Sequence, residues 1–194
     1  MSGLKRSFLR LAVAFTGRSG SGKTTFVAKL AKELIAQGFK VVLVKHDPAD
    51  KAVFDTKGKD SFIYSSLGAD VAVVSPTRTS IFLQSGLFGG FERDKMRHKN
   101  EDFHEICAKT PAQMSEDLAT LVAHFGEFDF MFVEGLKFLP LPRICIVRGE
   151  LDAQYLEFAN AVVSDIAVEF SGEKFGFEQT QSVLEWVKQN GAKL

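Results

Sequence analysis

The sequence has no surplus of either charge: 24 lysines and arginines stand against 24 aspartates and glutamates, a formal net charge of zero. A protein that wraps nucleic acid carries a basic excess, so the balance argues against that class. Cysteine is scarce. Only Cys107 and Cys145 occur, with no Cys-x-x-Cys pair and no cysteine–histidine cluster at metal-ligand spacing. Two reduced thiols in a cytoplasmic protein are the expectation. No apolar run approaches the roughly 20 residues that a membrane span needs. The run Leu11–Phe15 follows Lys5, Arg6 and Arg10, but it is too short for a signal peptide and leads straight into glycines. No internal repeat, low-complexity tract or linker divides the chain. Residues 1–194 are therefore expected to form a single domain.

Apolar residues are plentiful, at 45%, and 19 phenylalanines promise a core rich in rings. Short apolar runs read as buried strands: Leu11–Phe15, Val41–Val44, Val71–Val74, Ile81–Leu83, Phe130–Val133, Ile144–Val147 and Ala161–Val163. Segments of helical period lie between them. Phe26, Leu30 and Leu34 recur every four residues until Gly38. Asp60 to Leu67 reads as a short helix. Thr110-Pro111 opens another, with Gln113 at the capping-box position and Met114, Leu118, Leu121, Val122 and Phe125 on its apolar face. Leu151 to Asn160 is expected to be helical, as is Gln179 to Asn190, which Gly191 ends. This alternation predicts the α/β class, a mainly parallel sheet flanked by helices. A stretch at about 85–100, with Gly86, Gly89, Gly90 and a charged run, is expected to protrude as an insertion.

The first run leads into Gly17-Arg18-Ser19-Gly20-Ser21-Gly22-Lys23-Thr24, then Thr25. This is the full G-x-x-x-x-G-K-[ST] pattern. Its glycines let successive backbone N–H groups turn inward around a phosphate. The helix that follows aims its N-terminus at the same anion. Lys23 can reach the β- and γ-phosphates, and the Thr24 hydroxyl can ligate Mg²⁺. Arg18 could act on transition-state charge or simply be solvated.

Magnesium also calls for a carboxylate at the end of a neighbouring strand. Glu134 ends the run Phe130–Val133 and precedes Gly135. Asp55 opens Asp55-Thr56-Lys57-Gly58, the D-x-x-G pattern of switch loops. Lys45 and His46 lie just past a strand, placed to meet a phosphate, a base or a substrate. No Asn-Lys-x-Asp or Thr-Lys-x-Asp motif occurs, so these residues do not reveal whether the base is guanine.

Read together, the phosphate loop, Lys45-His46, Gly58-Lys59-Asp60-Ser61, Gly68-Ala69 and Val133-Glu134-Gly135-Leu136-Lys137 resemble the molybdopterin-guanine dinucleotide biosynthesis protein B family, over roughly residues 10 to 165. The resemblance implies a P-loop NTPase fold and a cytoplasmic, homodimeric GTP-binding protein, at most a slow GTPase. It implies a role beside the molybdopterin guanylyltransferase, which joins GMP to molybdopterin to give the guanine dinucleotide cofactor. By position, Lys23, Thr24, Asp55 and Glu134 would hold GTP and Mg²⁺. His46, Lys59, Asp60 and Lys137, with Lys45, would line the rest of the site. Asp47-Pro48-Ala49-Asp50 departs from the family where histidine is usual. The alternative is a P-loop small-molecule kinase that uses ATP or GTP, with His46, Lys59 and Lys137 binding an anionic acceptor.

Overall fold

Strand β1, Leu11–Thr16, is buried along nearly its whole length and forms the middle of a seven-stranded sheet. The computed structural model describes residues 7–46, 57, 62, 64, 71–74, 79–82, 110–136 and 139–194. They fall into two compact units, Met1–His46 with Pro111–Leu194, and Asp47–Thr110.

In the first unit, helix α1 (Lys23–Ala36) follows β1 and leads to β2 (Val41–Lys45). After helix α2 (Pro111–Ala123) come β5 (Phe130–Glu134), β6 (Arg143–Val147), β7 (Ala161–Ser164), β8 (Glu173–Phe175), helix α3 (Thr180–Asn190) and β9 (Ala192–Lys193). The sheet order is β2-β5-β1-β6-β7-β8, and every neighbouring pair is parallel. On its β6 side β1 has two partners. β9 runs antiparallel to Leu11 and Ala12, and β6 takes over from Ala14 to Thr16. Parallel strands covered on both faces have no polar face to show, which is why these runs are apolar throughout.

The amino ends of three strands are joined by one buried carboxylate. Asp129, just before β5, accepts from the backbone N–H of Lys40 at 2.8 Å and of Leu9 at 3.4 Å. On one face of the sheet, α1 buries Phe26, Leu30 and Leu34, and α3 buries Val183, Leu184, Trp186 and Val187. These pack in one cluster with Val13, Phe15, Phe130 and Phe132. The rings meet edge to face, Phe15 on Phe132 and Phe39 on Phe130, each at 5.2 Å, the arrangement their quadrupoles favour. A separate cluster holds Cys145, Val147, Val162 and Val168.

In the second unit, β3 (Val71–Val74) and β4 (Thr79–Phe82) pair antiparallel in a two-stranded sheet. The apolar run Val-Ala-Val-Val predicts a buried strand, yet three of its four residues are exposed. An apolar run shows strand propensity without naming the partner. The chain between Val74 and Thr79 is far too short for a parallel crossover, which takes a dozen or more residues, so the pair can only be antiparallel.

The helix expected over Leu151–Asn160 reduces to one 3₁₀ turn, Ala153–Tyr155, capped by the Asp152 carboxylate. Asn160 explains the early stop: its N–H donates to the Arg143 carbonyl, and its side-chain oxygen accepts from the Arg143 N–H. The chain must reach β6 there to begin β7. Strands β8 and β9 are too short and polar to show in the sequence. Of the helix expected over Asp60 to Leu67 only Phe62 and Tyr64 are described, and the insertion expected at 85–100 lies outside the described residues.

Candidate functional site

The phosphate loop spans the gap between β1 and α1. Gly17 is buried with φ of 137°, and a Cβ there would lie 2.3 Å from the Ile146 carbonyl oxygen. Only glycine lets the chain pass so close to β6. Lys23 folds back over the loop, its ammonium donating to the carbonyls of Gly17 and Arg18 at 2.7 Å each. Burial lowers the Lys23 pKa; the Glu134 carboxylate works the other way, and Lys45 adds to the lowering. The Ser21 hydroxyl is buried with no hydrogen-bond partner among the described residues. Leaving a buried donor unsatisfied is costly, and a phosphate oxygen in the loop is the kind of acceptor it lacks. Ser19 and Gly20 are exposed at the top of the loop, and Thr25 is exposed on the first turn of α1.

Parallel register delivers the carboxylate. Glu134 ends β5 opposite Phe15 of β1 and Lys45 of β2. The Thr24 hydroxyl lies 2.9 Å from Glu134 Oε2 and 3.1 Å from Oε1, and Lys45 Nζ donates to Oε1 at 2.8 Å. A hydroxyl and a carboxylate are hard oxygen donors. They suit Mg²⁺, which takes one or two protein ligands and completes its shell with phosphates and water. The residues present therefore fit a Mg²⁺–triphosphate pair, with Lys45 sharing the carboxylate.

Past Glu134 the chain turns sharply. Gly135 and Leu136 both have positive φ, 94° and 48°. A Cβ on Gly135 would sit 3.0 Å from the Cβ of His46, so glycine admits the histidine at this corner. The His46 N–H donates to the Glu134 carbonyl at 3.0 Å, which places His46 on the flank of the site. Sequence reasoning missed Arg143. It is 1% exposed, and its guanidinium donates to the carbonyls of Leu139 at 3.0 Å, Leu136 at 3.2 Å and Gly135 at 3.5 Å. Burial lowers its pKa to about 10, so it is charged at neutral pH. The available signal was a charge directly ahead of the apolar run Ile144–Val147.

On the other side of the loop, Arg18 is ion-paired with Glu150, both side chains being largely exposed. The Arg148 guanidinium lies 4.1 Å over the ring of Phe177, which meets Phe26 edge to face. Its Nε is 3.9 Å from the Asp165 carboxylate. A cavity of about 290 Å³ at the ends of β7 and β8, lined by Val162, Ser164, Lys174 and others, includes no residue of the phosphate loop. The structure thus brings Lys23, Thr24, Lys45, His46 and Glu134 together. Asp55, Lys59, Asp60 and Lys137 lie outside the described residues.

The family described as Molybdopterin guanine dinucleotide synthesis protein B (MobB) matches residues 12–104. Two curated relatives are named molybdopterin-guanine dinucleotide biosynthesis adapter protein. The one from Haemophilus influenzae is 25% identical over 179 residues, 91% of this chain and 86% of its own. The one from Escherichia coli is 26% identical over 191 residues, 92% of this chain and 95% of its own. The crystal structure of Bacillus subtilis MobB superposes with a TM-score of 0.60 at 19% identity, covering 93% of this chain and 98% of that one. The chain is thus similar to the MobB family over residues 12–104 and to its adapter proteins over most of its length. The MobB match takes in the phosphate loop, Lys45 and His46 and ends before Glu134; the two longer alignments extend over Glu134 as well. With this loop geometry and this similarity, the site is one for the phosphates of a nucleotide.

Proposed function

We propose that the protein is a GTP- and Mg²⁺-binding adapter in molybdenum cofactor synthesis that assists the attachment of GMP to molybdopterin. The observation carrying this reading is the meeting of the Thr24 hydroxyl with the Glu134 carboxylate at the head of α1, in a chain whose relatives bear the adapter name over most of its length. Lys23 holds the β- and γ-phosphates, and the loop N–H groups and the Ser21 hydroxyl take further phosphate oxygens. Thr24 and Glu134 hold Mg²⁺, which when bound neutralises charge on the phosphates. Asp55 is a second carboxylate for the metal. His46, Lys59 and Lys137 bind the anionic molybdopterin side, with Lys45 and Asp60 lining the rest of the site. The partner is the guanylyltransferase, the working form a cytoplasmic homodimer, and GTP hydrolysis slow.

Calorimetric titration with GTP and with ATP, each with and without Mg²⁺, tests the reading. GTP is expected to bind selectively and more tightly with the metal. Equal affinities for the two nucleotides would remove the GTP assignment. Lys23→Ala should weaken GTP by about a hundredfold, the loss of a charge-assisted contact worth roughly 3 kcal/mol.

A further inference from the structure

Arg143 is a cation in the core, and the observed hydrogen bonds of its guanidinium all go to backbone carbonyls. It opens β6, and its three acceptors belong to Gly135, Leu136 and Leu139, the residues that follow Glu134. β5 and β6 flank β1 on opposite sides. Ala14 of β1 is in register with Arg143 on one side and Val133 on the other. Residues so paired share a face of the sheet, and Ala14 offers only a methyl group between them. The long side chain can therefore cross the central strand to the end of β5.

The backbone of Glu134 itself is already held. Its carbonyl accepts from His46, and the next N–H, on Gly135, donates to the Phe15 carbonyl. Beyond it come two residues of positive φ, one of them the β-carbon-bearing Leu136. A conformation of that kind persists only where its surroundings over-determine it. The buried guanidinium fork does so here, fixing three carbonyls in one geometry. Lysine could not, being a single point of charge on a flexible stem.

Building on the Mg²⁺–triphosphate reading above, we propose that Arg143 is a positioning residue for the metal: by clamping the turn after Glu134 it aims that carboxylate at Thr24. It thereby sets the affinity for Mg²⁺ rather than the affinity for the triphosphate. Its action is felt through Glu134 alone.

The test is a double-mutant cycle of Arg143→Lys and Glu134→Gln, read by calorimetry on the full chain. GTP affinity is measured in EDTA, and the Mg²⁺ half-saturation is measured with GTP bound. Arg143→Lys is expected to raise the Mg²⁺ half-saturation about tenfold and to leave the EDTA affinity within about twofold. In the Glu134→Gln background the same substitution should leave the Mg²⁺ half-saturation unchanged. A merely structural residue would lower both affinities, or lower metal affinity equally in both backgrounds; either result overturns the proposal. So does an unchanged Mg²⁺ half-saturation in the single variant. If Arg143→Lys fails to fold, Leu136→Gly, which relaxes the turn and keeps the guanidinium, must raise the Mg²⁺ half-saturation in the same Glu134-dependent way, or the proposal falls. A wild-type chain that binds GTP without any response to Mg²⁺ would instead sink the underlying metal reading.

Discussion

Cys145 pairs in register with Thr16, the last residue of β1 before the phosphate loop. It is fully buried, and burial pushes its thiol pKa up from 9.0 to about 11. The thiolate is the reactive form, so the native thiol should resist alkylation. With Cys107 replaced by Ser, labelling by iodoacetamide at pH 8 should be slow in the folded protein and fast after unfolding. The same shift has a stability consequence. The fold keeps a proton that the unfolded chain releases above pH 9, so this contribution is complete below pH 9 and is lost as pH rises towards 11. The advantage of the wild type over Cys145→Ala in denaturant melts should shrink across that window. Lys23 and Thr24 could be singled out from sequence because the phosphate-loop pattern is contained in eight contiguous residues. Glu134 was legible because an acid ending an apolar strand falls at the sheet edge where ligands bind. Arg143 was not, since its acceptors are carbonyls that converge only once the turn after Glu134 has formed. Arg18, which the motif leaves without a role, has its partner 132 residues away in Glu150.

Strands and helices with strong apolar periodicity were readable, and those shaped by local polar contacts were not. α1 and α3 fall where Phe26, Leu30, Leu34 and Val183, Leu184, Val187 put them. The helix expected at Leu151–Asn160 gave way to hydrogen bonds between Asn160 and Arg143. Asp129 is a polar contact that reaches three strands, since β1, β2 and β5 all start beside it. Asp129→Ala should cost about 1.5–3 kcal/mol, the range for hydrogen bonds to a charged group. The loss should appear in urea melts as a lower midpoint with unchanged slope, and the GTP affinity of the folded fraction should stay the same. A large loss of GTP affinity in a well-folded variant would show that the strand starts and the phosphate loop are coupled.

For the molecule as a whole, fold class was more legible than pairing. The apolar runs predicted a mainly parallel sheet, which the first unit has, but they could not separate Val71–Val74 from the central strands. Only the short connection to Thr79 decides that pair. A ligand that binds only the folded chain stabilises it by mass action. GTP with Mg²⁺ at a hundred times its dissociation constant should add about 2.7 kcal/mol, and Lys23→Ala, which weakens GTP about a hundredfold, should cut that gain to about 0.4 kcal/mol at the same concentration. Thermal melts of the two proteins, with and without ligand, check it. Among the described residues no helix is long and apolar enough to cross a membrane.

Trp186, buried on α3 in the same cluster as Phe26 and Leu30 of α1, is the one tryptophan in the chain. The protein therefore carries a single indole fluorophore, placed where one unit keeps its interior. Its emission should shift to the red only when water enters that interior. A spectrum excited at the indole band then reports on the interior of the loop-bearing unit.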